Sequence, residues 1–261
     1  MNRLSGVFSN SRKVLLVFLT AGFPRPGFDR ELAAAVLEAG ADALELGFPF
    51  SDPLADGPLI QSASEKALEN GMTLDGTLEL AASLRSGTEA PLVLMGYANP
   101  VYHMGYERFA GAAADSGVDG AIIPDLPMEE SRPLDNQMRK KDLSLIPMAA
   151  PSTSEERLRK IISSGSGFLY LVSMAGLTGD AISSDAPWKK VAGIAREDGG
   201  LPVCVGFGIR NGEDAANAVT AADGVIVGSA VTEQIMNAKN DNEALKNVSR
   251  LVNELASAIK P

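Results

Sequence analysis

Chemistry in this chain is best sought at a carboxylate lodged in an apolar strand. In Ala43-Leu44-Glu45-Leu46-Gly47, alternation sends Leu44 and Leu46 to one face and Ala43 with Glu45 to the other. Burial pushes such an acid toward neutrality, where one carboxyl can both give and take protons. The structural alternative is an ion pair with a neighbouring strand, since a lone buried charge is costly. Two more acids follow in Phe48-Pro-Phe-Ser-Asp52-Pro-Leu-Ala-Asp56-Gly-Pro58. Asp beside Pro or Gly is ordinary turn chemistry, and spacing alone does not choose between Asp52 and Asp56.

A second set of residues suits an anion. Glycines cluster late, in Gly176-Leu-Thr178-Gly179, Gly206-Phe-Gly208 and Gly228-Ser229. Glycine lets backbone N–H groups approach a phosphate, and a following helix adds its dipole. Gly179, Gly208, Gly228 and Ser229 are therefore candidate phosphate contacts, with Ser229 also expected to cap a helix starting near Ala230. A net charge of −10 from 33 acidic and 23 basic side chains does not oppose this. Distant charges are screened beyond roughly 8 Å, whereas N–H dipoles act in contact. The same charge excludes a nucleic-acid surface, which needs clustered Lys and Arg.

Other chemistries are short of residues. The sequence has one His and one Cys. Cys204, between valines, reads as a small buried hydrophobe and cannot form an internal disulfide, which fits a reducing, cytosolic setting. His103 lies in the polar stretch Asn99–Gly105 and reads as a surface residue, with no nucleophile elbow nearby. A zinc site of several His and Cys ligands is unavailable. The apolar run Val14–Ala21 is too short for a membrane helix, which needs roughly 20 residues.

Positioning these groups falls to short apolar strands that alternate with helical patterns. Expected strands are 14–20, 43–46, 92–95, 121–123, 144–148, 168–173, 203–206 and 225–227. Between them, sets such as Leu32, Ala35, Val36 and Ala39, or Phe109, Ala112, Ala113 and Ser116, repeat at helical spacing. Thr153 with Glu156 has capping-box spacing, and Asn211 precedes Glu213 and Asp214 at another helix start. Eight strand–helix units at roughly 30-residue spacing predict a (β/α)8 TIM barrel, one domain over residues 1–261, with a short extra N-terminal helix near 2–9 covering its floor. The rival is an open doubly wound sheet. Its support, Gly206-Phe-Gly208-Ile-Arg-Asn-Gly212, has the third glycine one position late for a dinucleotide fingerprint.

The segment Glu45–Pro58 resembles the signature of tryptophan synthase alpha chains. The resemblance continues through Phe18-Leu-Thr-Ala-Gly22, Gly96-Tyr-Ala-Asn-Pro100, Asp125-Leu-Pro127, Tyr170-Leu-Val-Ser173 and the glycine loops, over essentially the whole chain. It implies a cytoplasmic lyase of tryptophan biosynthesis that cleaves indole-3-glycerol phosphate to indole and glyceraldehyde 3-phosphate, without metal or organic cofactor. It implies that Glu45 moves protons and that Asp56 holds the indole N–H. Tyr170 is then placed to position the substrate, and Phe18, Ile122 and Phe207 to wall an indole pocket. The resemblance also implies docking on a pyridoxal-phosphate-dependent beta chain, in an alpha2beta2 heterotetramer, through segments such as Asp52-Pro53 and Asn99-Pro100. One departure concerns loop six, where the family often has an arginine soon after the Thr-Gly pair. Here Gly179 precedes Asp180-Ala-Ile-Ser-Ser-Asp185, with no basic residue before Lys189. Two other readings remain open: a metal-free phosphate-binding barrel isomerase, and a chiefly regulatory docking subunit.

Overall fold

The computed structural model describes residues 3–9, 12–172, 187–197, 200–206 and 208–260. The first half of the chain runs α1 (Arg3–Val7), β1 (Val14–Thr20), α2 (Phe28–Glu38), β2 (Ala43–Gly47), α3 (Pro58–Glu69), α4 (Leu74–Arg85), β3 (Leu92–Met95), α5 (Ala98–Met104), α6 (Tyr106–Asp115) and β4 (Gly120–Ile122). The second half runs α7 (Met128–Arg139), β5 (Ser144–Leu145), β6 (Met148–Ala149), α8 (Glu155–Ser164), β7 (Leu169–Val172), α9 (Pro187–Glu197), β8 (Val203–Gly206), α10 (Gly212–Val219), β9 (Gly224–Val227), α11 (Ser229–Met236) and α12 (Asp241–Ile259).

All strand pairs are parallel, in the order β5-β4-β3-β2-β1-β9-β8-β7-β6. The two ends of that order are one stave, because only Ile146 and Pro147 separate β5 from β6. Ile146 N–H donates to Ala121 O at 2.9 Å on one side, and Tyr170 N–H donates to Pro147 O at 2.9 Å on the other. The ring is therefore closed, as a (β/α)8 barrel of eight staves. The expected strand 144–148 is interrupted because Pro147 has no N–H to give.

Alternation along the staves sorts the core into two shells. Val14, Leu16, Phe18, Ala43, Val93, Ile122, Tyr170, Cys204 and Ile226 fill the barrel interior, together with Leu4 of α1. Leu15, Val17, Leu44, Leu46, Leu92, Leu94 and Val205 face the helices. Leu4 is fully buried, so α1 does plug the floor. Asn211 caps α10 as expected, its side chain accepting from Asp214 N–H. The expected Thr153 cap is shifted by one residue. Ser154 caps α8 through Arg157 N–H, while Thr153 Oγ1 accepts from Ala150 N–H within the preceding turn. Asn99–Gly105 is largely the short helix α5 rather than a loop, and His103 on it is exposed.

One device recurs at the N-terminal ends of the staves. Asp42, Asp119 and Asp223 each sit one residue before a strand. Their N–H groups donate to Leu15, Leu92 and Val203 carbonyls at 2.8, 2.8 and 2.7 Å. The N–H groups of those same three residues donate back to the Asp carboxylates at 2.9 Å. Basic side chains complete each clamp: Arg12 and Lys260 on Asp42, Arg85 on Asp119, Arg196 on Asp223. The edge of the barrel floor is thus held by charge-assisted bonds, at the end of the fold associated with stability.

Candidate active site

Glu45 projects from β2 into the barrel interior and is 1% exposed. Its Oε2 has no hydrogen-bond partner, and no ion pair reaches it among the described residues. Burial, reinforced by the nearby Asp56 charge, raises its pKa to about 8. The ion-pair alternative raised by the sequence is therefore not what the fold provides.

Loop two delivers Asp56 above this point. Asp56 N–H donates to Pro53 O at 3.0 Å and Gln61 Nε2 donates to Asp56 O at 2.8 Å, which ties the turn to α3. Ser64 bonds both N–H and O of Phe50 at the loop's start. The Asp56 carboxyl is partly buried, and that burial raises its pKa to about 6 against the lowering effect of the nearby Tyr97 hydroxyl. Burial and the Asp56 charge push the Tyr97 hydroxyl up, so it remains a donor. The same oxygen accepts from Ala55 N–H at 3.0 Å, and the ring stacks on Phe50 at 5.4 Å. Asp52, by contrast, is exposed, and among the described residues its carboxylate accepts only from Ser51 Oγ at 2.6 Å. Geometry thus separates the two acids that spacing left equal.

Tyr97 was not among the residues singled out from the sequence, although Gly96-Tyr-Ala-Asn-Pro100 contains it. Nothing in that motif shows a hydroxyl turned toward loop two. Asp125 supports it from loop four, accepting from Ala98 N–H at 2.8 Å at the start of α5.

Aromatic rings lie on glycines around the same end of the barrel. A Cβ on Gly47 would meet the Phe18 ring at 2.5 Å, one on Gly96 the Phe48 ring at 2.3 Å, and one on Gly206 the Tyr170 hydroxyl at 2.2 Å. Phe18 also borders Gly228, where a Cβ would stand 3.2 Å away. Each ring occupies the space that the neighbouring strand's side chain would take.

A cavity of roughly 1840 Å³ opens over this end, lined by Asp56, Gly208, Ser229 and Val172 among others. It exceeds the roughly 300–1,000 Å³ of ordinary ligand pockets because it runs on into the groove between α7 and α8. Glu45, Phe18, Ile122 and Tyr170 are not in its wall. They lie just inside the barrel, at 1, 5, 0 and 5% exposure. Gly208 has φ +81°, a backbone conformation that favours glycine. Ser229 is the first residue of α11 and forms no side-chain cap, with Gly228 in the cap position, so the expected capping role is corrected. Phe207 and Gly179, with the rest of loop six, lie outside the described residues.

A closed barrel with a buried and a partly buried carboxylate at the C-terminal ends of its strands has the architecture of a barrel enzyme. The chain matches the family described as "Tryptophan synthase alpha chain" over residues 4–260. It is 42% identical over 260 residues to the tryptophan synthase alpha chain of Caulobacter sp. (strain K31), covering 99% of this chain and 94% of that one. The alpha chain of Methylococcus capsulatus is 44% identical over 248 residues, 93% of each chain. The structure of tryptophan synthase subunit alpha from Legionella pneumophila str. Paris superposes with TM-score 0.89 at 36% identity, covering 99% of this chain and 98% of that one. A chain of Mycobacterium tuberculosis tryptophan synthase gives 0.91 at 34% identity, covering 100 and 99%. This chain belongs to the tryptophan synthase alpha chain family, whose members are lyases that cleave indole-3-glycerol phosphate in tryptophan biosynthesis.

Proposed function

We propose that Glu45 and Asp56 carry the cleavage of indole-3-glycerol phosphate in this chain, as the alpha subunit of a tryptophan synthase. The observation that carries this reading is the pair itself: a buried carboxyl at about 8 beside a partly buried one at about 6. Between those values Glu45 is protonated and Asp56 ionised. Glu45 gives its proton to the indole C3 carbon, and positive charge develops on the ring. Asp56 accepts the indole N–H and stabilises that charge. The Glu45 carboxylate then takes the proton of the side-chain hydroxyl as the carbon–carbon bond breaks. Indole and an aldehyde leave, and Glu45 is again protonated, so the cycle closes without net proton change.

Gly208, Gly228 and Ser229, with Gly179 of loop six, are proposed to hold the phosphate through N–H groups and the Ser229 hydroxyl. Phe18, Tyr170, Ile122 and Phe207 are proposed as the surroundings of the indole. The whole chain, 1–261, is taken as one barrel domain. Docking on a beta chain as an alpha2beta2 heterotetramer is supported by Leu54 and Tyr102, 89 and 72% exposed beside Asp52-Pro53 and Asn99-Pro100. Large apolar residues left exposed on these two segments suit a partner surface. A cytoplasmic location belongs to the same proposal; among the described residues no helix is long and apolar enough to cross a membrane.

A coupled assay for glyceraldehyde 3-phosphate on the purified chain, alone and with its cognate beta chain, tests the reading. Glu45→Gln is expected to abolish product release while substrate still binds. Near-normal turnover in that variant refutes the assignment of Glu45.

A further inference from the structure

Two buried oxygen atoms on the inner face of neighbouring strands have no hydrogen-bond partner among the described residues. One is Glu45 Oε2. The other is Thr20 Oγ1, on a residue 5% exposed at the C-terminal end of β1. Val14, Leu16 and Phe18 of β1 all face the barrel interior, and Thr20 continues that alternation. In register, Phe18 lies opposite Glu45 and Thr20 opposite Gly47, which has no side chain to offer a partner. Valine would fill the same volume, suits a strand equally well and would leave no buried hydroxyl unsatisfied. Among the described residues the hydroxyl makes no bond that valine would lose.

We propose that Thr20 is a substrate-binding residue whose hydroxyl hydrogen-bonds the glycerol hydroxyls of the phosphorylated substrate beside Glu45. The proposal rests on the reaction assigned above. Strand spacing and rise put Thr20 and Glu45 about 8 Å apart at the backbone, one inner-face step along adjacent strands. Two side chains reaching inward from those positions converge on one short polyol segment. Thr20 would hold the segment while Glu45 exchanges protons with it, and the orphaned oxygen would acquire its partner only in the complex.

The test compares Thr20→Val and Thr20→Ser with the unaltered chain, assayed with the cognate beta chain present. Two ligands are used: indole-3-glycerol phosphate and 3-(indol-3-yl)propyl phosphate, which lacks both hydroxyls. For Thr20→Val, kcat/KM is expected to fall about 10- to 100-fold, the loss of a buried hydrogen bond in the reacting complex. Thr20→Ser is expected to stay within about threefold. Both variants should bind the hydroxyl-free phosphate as the unaltered chain does, and Thr20→Val should unfold at the same or higher denaturant concentration. If Thr20→Val does not fold, Thr20→Ala against Thr20→Ser gives the same contrast. A kcat/KM within twofold for the hydroxyl-free variant overturns the inference. So does an equal loss of affinity for the hydroxyl-free phosphate, which would mark a packing effect. An unaltered chain that releases no glyceraldehyde 3-phosphate overturns the assigned reaction, and the role of Thr20 with it.

Discussion

Glu45→Gln should make the protein more stable as it destroys activity, and only at the pH values where Glu45 matters. In the unfolded chain this carboxyl ionises near 4.5, whereas in the barrel it does so at about 8. A folded-state pKa above the unfolded one contributes stability that is fully present below pH 4.5 and is lost as pH rises to about 8. Each pH unit across that interval removes about 1.4 kcal/mol, giving a ceiling of about 5 kcal/mol. Relaxation around a buried charge lowers such ceilings, so a difference of about 2–5 kcal/mol is expected. Glutamine is neutral throughout and feels none of it. The assay is urea denaturation of both proteins between pH 4.5 and 9. Their unfolding free energies should diverge steadily in favour of the variant up to about pH 8 and run parallel above it. A difference that does not change with pH refutes the claim that Glu45 is held protonated by burial.

Other outcomes follow from the same geometry. Tyr97→Phe removes a hydroxyl that lowers the Asp56 pKa, so the acid limb of the kcat/KM profile should move up; an unmoved limb would show that Tyr97 does not act on Asp56. Asp56→Asn should lower turnover steeply with thermal stability intact, whereas a structural role would show the reverse. Asp119→Ala strands Leu92 N–H and takes the carboxylate from the mostly buried Arg85, which keeps its bonds to Gly117 O and Thr88 O, for a loss of about 2–4 kcal/mol in denaturant unfolding, with turnover per folded molecule unchanged. Gly206→Ala drives a methyl into the Tyr170 ring; about 1–3 kcal/mol of stability or a raised KM should register the displacement, by calorimetry and steady-state kinetics.

The barrel was readable because its strands are short apolar runs whose two-residue alternation repeats in every unit; three of the expected ranges, 14–20, 92–95 and 203–206, match the observed strands at both ends. The split in the fifth stave was missed because an apolar run does not reveal where proline withholds a donor. Glu45 stood out since a charge breaking an apolar strand is visible in one dimension. Tyr97 and Thr20 did not, because their meaning lies in what a hydroxyl faces across a loop or a strand pair. The aspartate clamps share a short pattern, an apolar residue, Asp, then Ala or Gly. That pattern is common enough to pass unnoticed until three copies appear on one rim.

The rings resting on Gly47, Gly96 and Gly206 give the mouth of this barrel an unusual kind of adjustability. Its contour at those points depends on hydrogen atoms, since each aromatic plane lies where a neighbour's first carbon would stand. Adding one carbon to a glycine therefore re-aims a whole ring. Natural variation toward differently shaped aromatic substrates would then be sought first at these three glycines, and only afterwards at the rings themselves.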